Sequence, residues 1–346
     1  GRLVVKTFQE QETYLVANYS SANVNQFMID DITGLLTAHS TPTVSQGAMS
    51  FTIGISPNQS YAYVSSLSGS IYQYSFDGTG GLVASTPASI NTGDDARGPD
   101  ITPDGRYLYV ANTNTNRVSQ YAISAVDGTL SALSTPTITT GDAYPTCVAV
   151  SPNGQWAYAS NTNGSTLAQY SVTGGTGLLA ALAPSNVTST GGANELGVSP
   201  NGKWLYVTNY NTDTISGYSI NQVSGVVTPM TTPTFATGDA PYRIAVSPNG
   251  KFAYVASMNE GLVYQYTISA TTGMLTPMAA PTVTSAAGSS YVKISPDGRF
   301  AYVTNATART VTQYSINQTT GALTALSPAS VPVGNSAYGS AIRRRL

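Results

Sequence analysis

The sequence contains few charged residues. Asp, Glu, Lys and Arg make up 9% of the 346 residues, and the formal net charge is -2 at pH 7; an average soluble protein has roughly 25% charged residues. Such a chain carries no broad field that would attract nucleic acid or anionic lipid. We therefore predict that the protein does not bind nucleic acid, and that neutral polar side chains keep its surface hydrated.

Cysteine, histidine and long apolar runs are also scarce. The single cysteine, Cys147, excludes a disulfide framework and a cysteine-rich zinc site, and its apolar neighbours predict a small buried residue. The single histidine, His39, lies in the segment LLTAHSTPT, which we place far from the predicted site described below, so we expect no Ser-His-Asp set. No phosphate loop or dinucleotide fingerprint occurs, so we expect no cofactor and no metal.

No apolar run approaches the roughly 18 to 20 residues that a membrane helix needs, so no membrane span is predicted. The chain begins at Gly1 rather than at a methionine, as a processed chain would. Together with the neutral polar surface, this favours an extracellular, cell-surface or periplasmic location.

What the sequence does contain is a repeat. The phrase SPNGKWLYVTN, at 199–209, recurs in variant form along the whole chain. Its tyrosine marks seven copies at intervals of 46 to 49 residues: Tyr14, Tyr63, Tyr109, Tyr158, Tyr206, Tyr254 and Tyr302. A fixed period of this length indicates stacked structural repeats.

Within one period, four short segments have the alternation and the β-branched and aromatic content of strands. In the copy that begins at Arg243, these are RIAVS, KFAYVAS, LVYQYTIS and MLTPMAAP. Asn249 and Gly250 predict a hairpin turn, because both residues tolerate a positive φ. Seven four-stranded antiparallel units predict an all-β fold, the seven-bladed β-propeller.

Both ends of the chain are predicted to share one blade. The segment at 334–342 resembles the start of an inner strand but is not followed by a second strand, whereas TYLVANYS and VNQFMI near the N-terminus lack an inner strand before them. Pairing of the two ends would close the ring. We expect residues 1–346 to form one propeller domain with about 48 residues per blade.

The inner strands predict a site where they line the central channel. Two positions before the Ser or Thr of each turn the residue is small (Gly54, Ala149, Gly197, Ala245 and Ala341), except for Asp100 and Lys293. Four or five positions before that Ser or Thr lie Arg97, Glu195, Tyr242, Arg243, Tyr291 and Tyr338. These eight non-small residues are our candidate ligand-binding set, for an anionic or hydroxyl-rich ligand at the channel mouth. Alternatively, the charged members pair with one another and tie adjacent blades together.

The phrases YVTN (206–209 and 302–305), SPNG or SPDG, and TTGxLT (271–276 and 319–324) resemble the YVTN-repeat propellers and the related lactonase family, which includes 6-phosphogluconolactonase-like enzymes. The resemblance implies an active site of His, Arg and Glu at the channel mouth. Glu195, Arg243 and Arg97 occupy matching positions and are the candidate catalytic residues. His39 departs from this pattern, because it falls in an outer strand, where we expect it on the surface.

Two functions follow from these expectations. The leading hypothesis is an extracellular or cell-surface binding or scaffold propeller. Its varied loops on the face opposite the S-P-N-G turns, the top face, would contact a protein or glycan partner or neighbouring copies in a self-assembly. The alternative is a lactone hydrolase, in which Glu195 activates water while Arg97 and Arg243 hold the substrate and stabilise the oxyanion.

Overall fold

A computed structural model describes residues 12–46 and 49–345, and the regular structure of these residues consists of 28 β-strands. Residues 1–11, 47, 48 and 346 of the predicted domain lie outside the described residues. The strands form seven four-stranded antiparallel sheets, which we number as blades 1 to 7 in chain order. The predicted all-β seven-bladed propeller is confirmed.

The strands follow one another without interruption by other elements. Blade 1 contains β1 (Thr13–Asn18), β2 (Asn23–Ile29) and β3 (Leu36–Ser45). Blades 2 and 3 contain β4 (Ser50–Ile55), β5 (Tyr61–Ser66), β6 (Ser70–Phe76), β7 (Leu82–Asn91), β8 (Ala96–Ile101), β9 (Tyr107–Asn112), β10 (Arg117–Ile123) and β11 (Leu130–Thr139). Blades 4 and 5 contain β12 (Pro145–Val150), β13 (Trp156–Asn161), β14 (Thr166–Val172), β15 (Leu179–Thr188), β16 (Ala193–Val198), β17 (Trp204–Asn209), β18 (Thr214–Ile220) and β19 (Val227–Ala236). Blades 6 and 7 contain β20 (Pro241–Val246), β21 (Phe252–Ser257), β22 (Leu262–Ile268), β23 (Leu275–Thr284), β24 (Ser289–Ile294), β25 (Phe300–Asn305), β26 (Thr310–Ile316) and β27 (Leu323–Pro332).

The last strand, β28 (Ala337–Arg343), belongs to blade 1 and closes the ring. It pairs antiparallel with β1, so that Thr13 lies opposite Arg343 and Leu15 lies opposite Ala341. The C-terminus therefore supplies the inner strand of a blade whose other three strands come from the N-terminus. The predicted closure by both ends of the chain is confirmed.

The turn between the inner and second strands differs from the prediction in one respect. Gly250 has a positive φ of 70°, but Asn249 is not among the residues with a positive φ. Asn249 instead acts through its side chain, because its Oδ1 accepts hydrogen bonds from Ser247 Oγ at 2.7 Å and from the Lys251 backbone N–H at 3.0 Å. The residue choice at this turn thus reflects side-chain hydrogen bonding as well as backbone freedom.

The hydrophobic core is divided into seven clusters, each of which lies between two adjacent blades. The cluster between blades 7 and 1, for example, joins Tyr302 and Val311 to Tyr14 and Phe27. A single blade buries only part of its apolar surface within itself, so each blade is stable only against its neighbours.

A buried tyrosine in the second strand joins six of the seven blades to the following blade by a hydrogen bond. Tyr206 Oη donates to the backbone carbonyl of Gly273, at 2.6 Å, in the turn that precedes the outer strand of the following blade. Six blades share this bond, which joins Tyr63 to Gly128, Tyr109 to Gly177, Tyr158 to Gly225, Tyr206 to Gly273, Tyr254 to Gly321 and Tyr302 to Gly34. In blade 1 the corresponding carbonyl, of Gly80, accepts from Thr13 Oγ1 rather than from Tyr14.

A buried glutamine in the third strand makes a second connection between blades. In blade 4, Gln169 Nε2 donates to the Pro184 carbonyl of its own outer strand, while its Oε1 accepts from the Val227 backbone N–H of blade 5. The same arrangement occurs at Gln26, Gln73, Gln120, Gln265 and Gln313. Blade 5 has Gly217 at this position, where a Cβ atom would meet Phe235 and Met230 at less than 3 Å. The interface between blades 5 and 6 therefore lacks the glutamine connection.

We predict that Tyr206→Phe lowers the free energy of unfolding by about 1 to 3 kcal/mol, because the substitution leaves the buried Gly273 carbonyl without its donor. Urea unfolding measures this change. Tyr14→Phe is the matched control, since Tyr14 makes no such bond to the next blade, and its loss should be clearly smaller. Equal losses in the two variants would contradict the role assigned to the hydroxyl group.

Candidate functional site

The site residues lie on inner strands that are irregular at one end. In six of the seven inner strands, the pairing with the second strand shifts register near the end that faces away from the S-P-N-G turn. In β20, for example, the shift lies between Pro241 and Arg243. In the seventh inner strand, β28, the shift lies opposite Ala17 and Asn18 of its partner β1. A β-bulge inserts one residue and re-aims the side chains around it. Consecutive residues such as Tyr242 and Arg243 therefore make separate sets of contacts.

Glu195 and Arg243 form an ion pair between blades 5 and 6. Their side chains are only 8% and 18% exposed. The Arg243 guanidinium also lies 4.2 Å from the centre of the Tyr291 ring of blade 7, which restricts its orientation through a cation–π contact. Three successive inner strands thus contribute one residue each to a connected group.

Backbone contacts hold this pair in register. The Glu195 N–H donates to Thr208 Oγ1 at 3.2 Å, and Thr208 Oγ1 donates to the Tyr242 carbonyl at 3.1 Å. The Asn194 side chain donates to the same carbonyl at 3.3 Å. Blades 5 and 6 are therefore joined beside the ion pair, at the Tyr242 carbonyl.

The inner strands surround a cavity of about 590 Å³ on the propeller axis. Arg243, Tyr291, Lys293, Asp100 and Cys147 line it. The lining continues to the prolines of four S-P-N-G-type turns, namely Pro57, Pro152, Pro248 and Pro296. The cavity therefore extends from the level of Arg243 to the face of the propeller that carries the short turns.

Asp100 lies in this cavity and is held by backbone groups. Its Oδ1 accepts from the Ile101 N–H at 2.9 Å, and its Oδ2 accepts from the Val150 N–H of the next blade at 2.8 Å. Burial raises the pKa of the Asp100 carboxyl, against the opposing effect of these hydrogen bonds and of Lys293 and Arg243. Asp100 therefore joins blades 3 and 4. Its carboxyl group is protonated more easily than that of an ordinary aspartate.

Lys293 lies in the same cavity and forms no ion pair with any other described residue. Among the residues that the structure describes, no hydrogen bond or ion pair involves its amine, and the Tyr291 ring centre is 5.9 Å from Nζ. Burial and the nearby Arg243 cation lower the pKa of Lys293 to about 8, although Asp100 opposes this shift.

Arg97, Tyr242 and Tyr338 belong to a different level, which we call the aromatic layer together with Phe51 and Tyr144. The Arg97 guanidinium bonds Asp95 at 2.9 Å and lies 4.9 Å from the ring centre of Phe51 and 5.5 Å from that of Tyr144. The Tyr338 ring lies 5.5 Å from Phe51 and 6.0 Å from Tyr242. These residues connect inner ends of several blades at the channel end opposite the S-P-N-G turns.

The eight candidate residues therefore occupy two levels rather than one mouth. None of the aromatic layer lines the cavity, whereas Arg243, Tyr291, Lys293 and Asp100 do, and Glu195 bonds Arg243 from blade 5. The inner-strand alignment explains the division. The aromatic layer has the residues five positions before the turn Ser or Thr, and the cavity has those two and four positions before it.

Sequence reasoning missed three members or partners of these levels. Phe51 occupies the same inner-strand position as Arg97, Tyr242 and Tyr338, so the alignment contained the signal that would have found it. Asp95 and Tyr144 lie outside the inner-strand core of the repeat, and their contact with Arg97 depends on how loops fold over the ring.

His39 is buried, and the prediction of a surface position was wrong. It lies in the outer strand β3, as expected, but is only 3% exposed. Its Nδ1 accepts from the Thr41 backbone N–H at 3.1 Å, and its Nε2 lies 3.2 Å from Thr79 Oγ1 in a turn of blade 2. The neighbouring blade covers the histidine, which repeat position alone does not reveal.

Within residues 12–46 and 49–345 there is no group of three or more His, Cys, Asp or Glu side chains arranged to hold a metal ion. In the same part of the chain, no helix has the length and apolar character needed to cross a membrane.

Comparison with known proteins agrees with this geometry. The family model for "Lactonase, 7-bladed beta-propeller" matches residues 179–289, which include Glu195 and Arg243. The resemblance to lactonase-type seven-bladed propellers is confirmed. No curated protein matches the chain.

Solved structures share the fold of this chain at low sequence identity. The periplasmic gluconolactonase PpgL of Pseudomonas aeruginosa is 19% identical, with 97% of this chain and 99% of that chain covered and a TM-score of 0.81. A provisionally assigned 6-phosphogluconolactonase of Bacteroides fragilis has the same identity, coverage and TM-score. Hydrazine synthase of Kuenenia stuttgartiensis is 18% identical over 84% of this chain and 88% of that chain, with a TM-score of 0.63.

We predict that Lys293→Met raises the free energy of unfolding at pH 7 by up to about 3 kcal/mol, because the folded protein holds this ammonium group in an unfavourable site. The folded-state pKa, about 8, is below the usual value of 10.5. Between these values the unfolded chain binds more protons than the folded chain, so wild-type stability recovers as pH rises. The difference between variant and wild type, measured by urea unfolding, should shrink from pH 8 to above 10. A difference independent of pH would contradict this assignment.

Proposed function

We propose that this propeller hydrolyses a small lactone at the Glu195–Arg243 pair beside its axial cavity. The observation that carries the proposal is the buried ion pair itself, which places a carboxylate and a guanidinium together next to the axial cavity. Buried charges that adjoin a cavity are typical of functional sites, although they also occur in structural networks.

The chemistry requires one proton acceptor and one stabilised oxyanion. Glu195 would accept a proton from water as the water oxygen attacks the lactone carbonyl carbon. Arg243 would donate to the carbonyl oxygen as negative charge develops there. The ring C–O bond then breaks, the ring oxygen takes the proton back from Glu195, and the product is the open hydroxy acid.

The contacts of Arg97 point to a different role from the one first expected. Its guanidinium is engaged by Asp95 and by the rings of Phe51 and Tyr144, and it does not line the cavity. We assign it to closing the channel end through the aromatic layer, rather than to holding the substrate. Tyr291 instead positions Arg243 by stacking on it.

The comparisons support the choice of reaction class. The family model is named for lactonases and spans both members of the ion pair, and the name of the Pseudomonas relative is that of a gluconolactonase. The hydrazine synthase likeness shows that this architecture also occurs in proteins of other chemistry, so the ion pair and not the fold carries the proposal. The periplasmic location in the same Pseudomonas name agrees with our expectation of an exported protein.

Presentation of top-face loops to a protein, a glycan or neighbouring copies stays a prediction from composition. No contact described above favours it over hydrolysis. The lactonase hypothesis is therefore the one that we develop.

We predict that purified protein hydrolyses at least one member of a panel of small sugar-derived lactones, including 6-phosphogluconolactone, well above the spontaneous rate. Glu195→Gln should lower kcat by at least about 100-fold, because it removes the proton acceptor. Glu260→Gln is the matched control: Glu260 bonds Ser257 and Tyr264 outside the axial cavity, and its variant should keep the wild-type rate. Acid release recorded with a pH indicator gives the rates.

Folding is checked on the same samples, since Glu195→Gln leaves a buried guanidinium without its anion. Glu195→Asp provides a second variant that retains the negative charge and should lose less stability than Glu195→Gln. Wild-type rates equal to the blank across the panel, or unchanged turnover in a folded Glu195→Gln protein, would overturn the proposal.

A further inference from the structure

Lys293 is a channel cation that the proposed hydrolysis does not use. It occupies a position that carries a small residue in five of the seven blades, at Gly54, Ala149, Gly197, Ala245 and Ala341. These small residues leave open space in the cavity at the level of the lysine. A long amine here therefore reaches into a volume that its neighbours on the other strands do not fill.

The other charges near Lys293 already have partners. Arg243 bonds Glu195 and stacks on Tyr291, and the two Asp100 oxygens each accept a backbone N–H. Lys293 itself has neither a hydrogen bond nor an ion pair among the described residues. The geometry thus leaves one uncommitted nitrogen facing the cavity.

We propose that Lys293 is a nucleophilic amine that forms a reversible imine with a small aldehyde or ketone bound in the axial cavity. The amine nitrogen attacks the carbonyl carbon, and the carbonyl oxygen takes up a proton to give a carbinolamine. The carbinolamine then loses that oxygen as water, and the two hydrogens that the amine loses overall balance the two hydrogens of the water. The C=N bond remains. The overall reaction is amine plus carbonyl compound giving imine plus water, with no change in oxidation state.

The groups around Lys293 favour this reactivity. Arg243 on β20, Asp100 on β8, Cys147 on β12 and Tyr291 on β24 face the same space. Burial and Arg243 lower the lysine pKa to about 8, so a substantial fraction of the amine is neutral near pH 7. Asp100 lies in the same cavity, and burial raises the pKa of its carboxyl.

The cavity also indicates how the carbonyl compound arrives and what charge it carries. The aromatic layer lies at one end, whereas the lining reaches the S-P-N-G-type turns and Arg344 at the other. A ligand therefore enters from the face of the short turns. Because Arg243 and Arg344 both line the route, a carbonyl compound with a carboxylate or phosphate group is favoured over a neutral one.

The test uses glyoxylate, a small anionic aldehyde, with cyanoborohydride to trap the imine as a stable amine. The chain has only four lysines, Lys6, Lys203, Lys251 and Lys293, so peptide mass spectrometry resolves each site. Lys203 and Lys251 are exposed and serve as internal controls. At pH 7 about 10% of an amine with a pKa near 8 is neutral, against about 0.04% at the ordinary lysine pKa. We expect Lys293 to be modified at least about tenfold faster than either control.

The dependence on pH and on folding completes the test. Modification of Lys293 should rise up to about pH 8 and then level off, while that of Lys203 continues to rise. Urea unfolding should remove the difference between sites. Propanal, the neutral comparison, should be slower than glyoxylate at Lys293 but not at Lys203. Glu260→Gln should retain the selectivity, because Glu260 bonds Ser257 and Tyr264 outside the axial cavity.

Equal or slower modification of Lys293 relative to Lys203 and Lys251 in the folded protein would overturn the proposal. So would selectivity that persists in urea, since that would arise from local sequence. Lys293→Arg checks the assignment: it should abolish the fast site and leave the modification of the other lysines unchanged.

Discussion

The ring depends on the hydrogen bond that six of the seven buried second-strand tyrosines donate to a glycine carbonyl of the following blade. The bond places a polar group of one blade where only its neighbour can satisfy it, so a missing or shifted blade would leave a buried carbonyl unpaired. Apolar clusters hold adjacent blades together without fixing their exact offset, and the tyrosine supplies that offset. A constant offset, repeated around the ring, is what brings inner-strand residues of different blades to the same height.

This common height explains the two levels of the axial region. Inner-strand residues five positions before the turn meet as the aromatic layer, and residues nearer the turn meet around the cavity. Side chains far apart in sequence, such as Glu195, Arg243 and Tyr291, become neighbours because they occupy one repeat position in successive blades. The chemistry that we propose is thus carried by the exceptions within an otherwise uniform set of positions.

The sequence predicted much of this and missed what depends on neighbouring blades. The period of about 48 residues located the strands and the closing role of 334–342, because strand pattern and turn chemistry are local. Alignment of the inner strands singled out Glu195, Arg243 and Lys293. It did not reveal that Arg97 bonds Asp95, or that His39 is covered by a turn of blade 2, since both contacts depend on loop and blade packing. The bulges that separate Tyr242 from Arg243 have no clear sequence signature either.

Gly217 has a consequence for the interface that it leaves without a glutamine. That interface, between blades 5 and 6, is the one that the Glu195–Arg243 pair spans. The contacts across this seam include the Tyr206 bond, the Glu195–Arg243 ion pair and the hydrogen bonds of Thr208 and Asn194 to the Tyr242 carbonyl, beside an apolar cluster. Glu195 and Arg243 would therefore serve both the proposed chemistry and the cohesion of the one seam that carries a glycine in place of the glutamine.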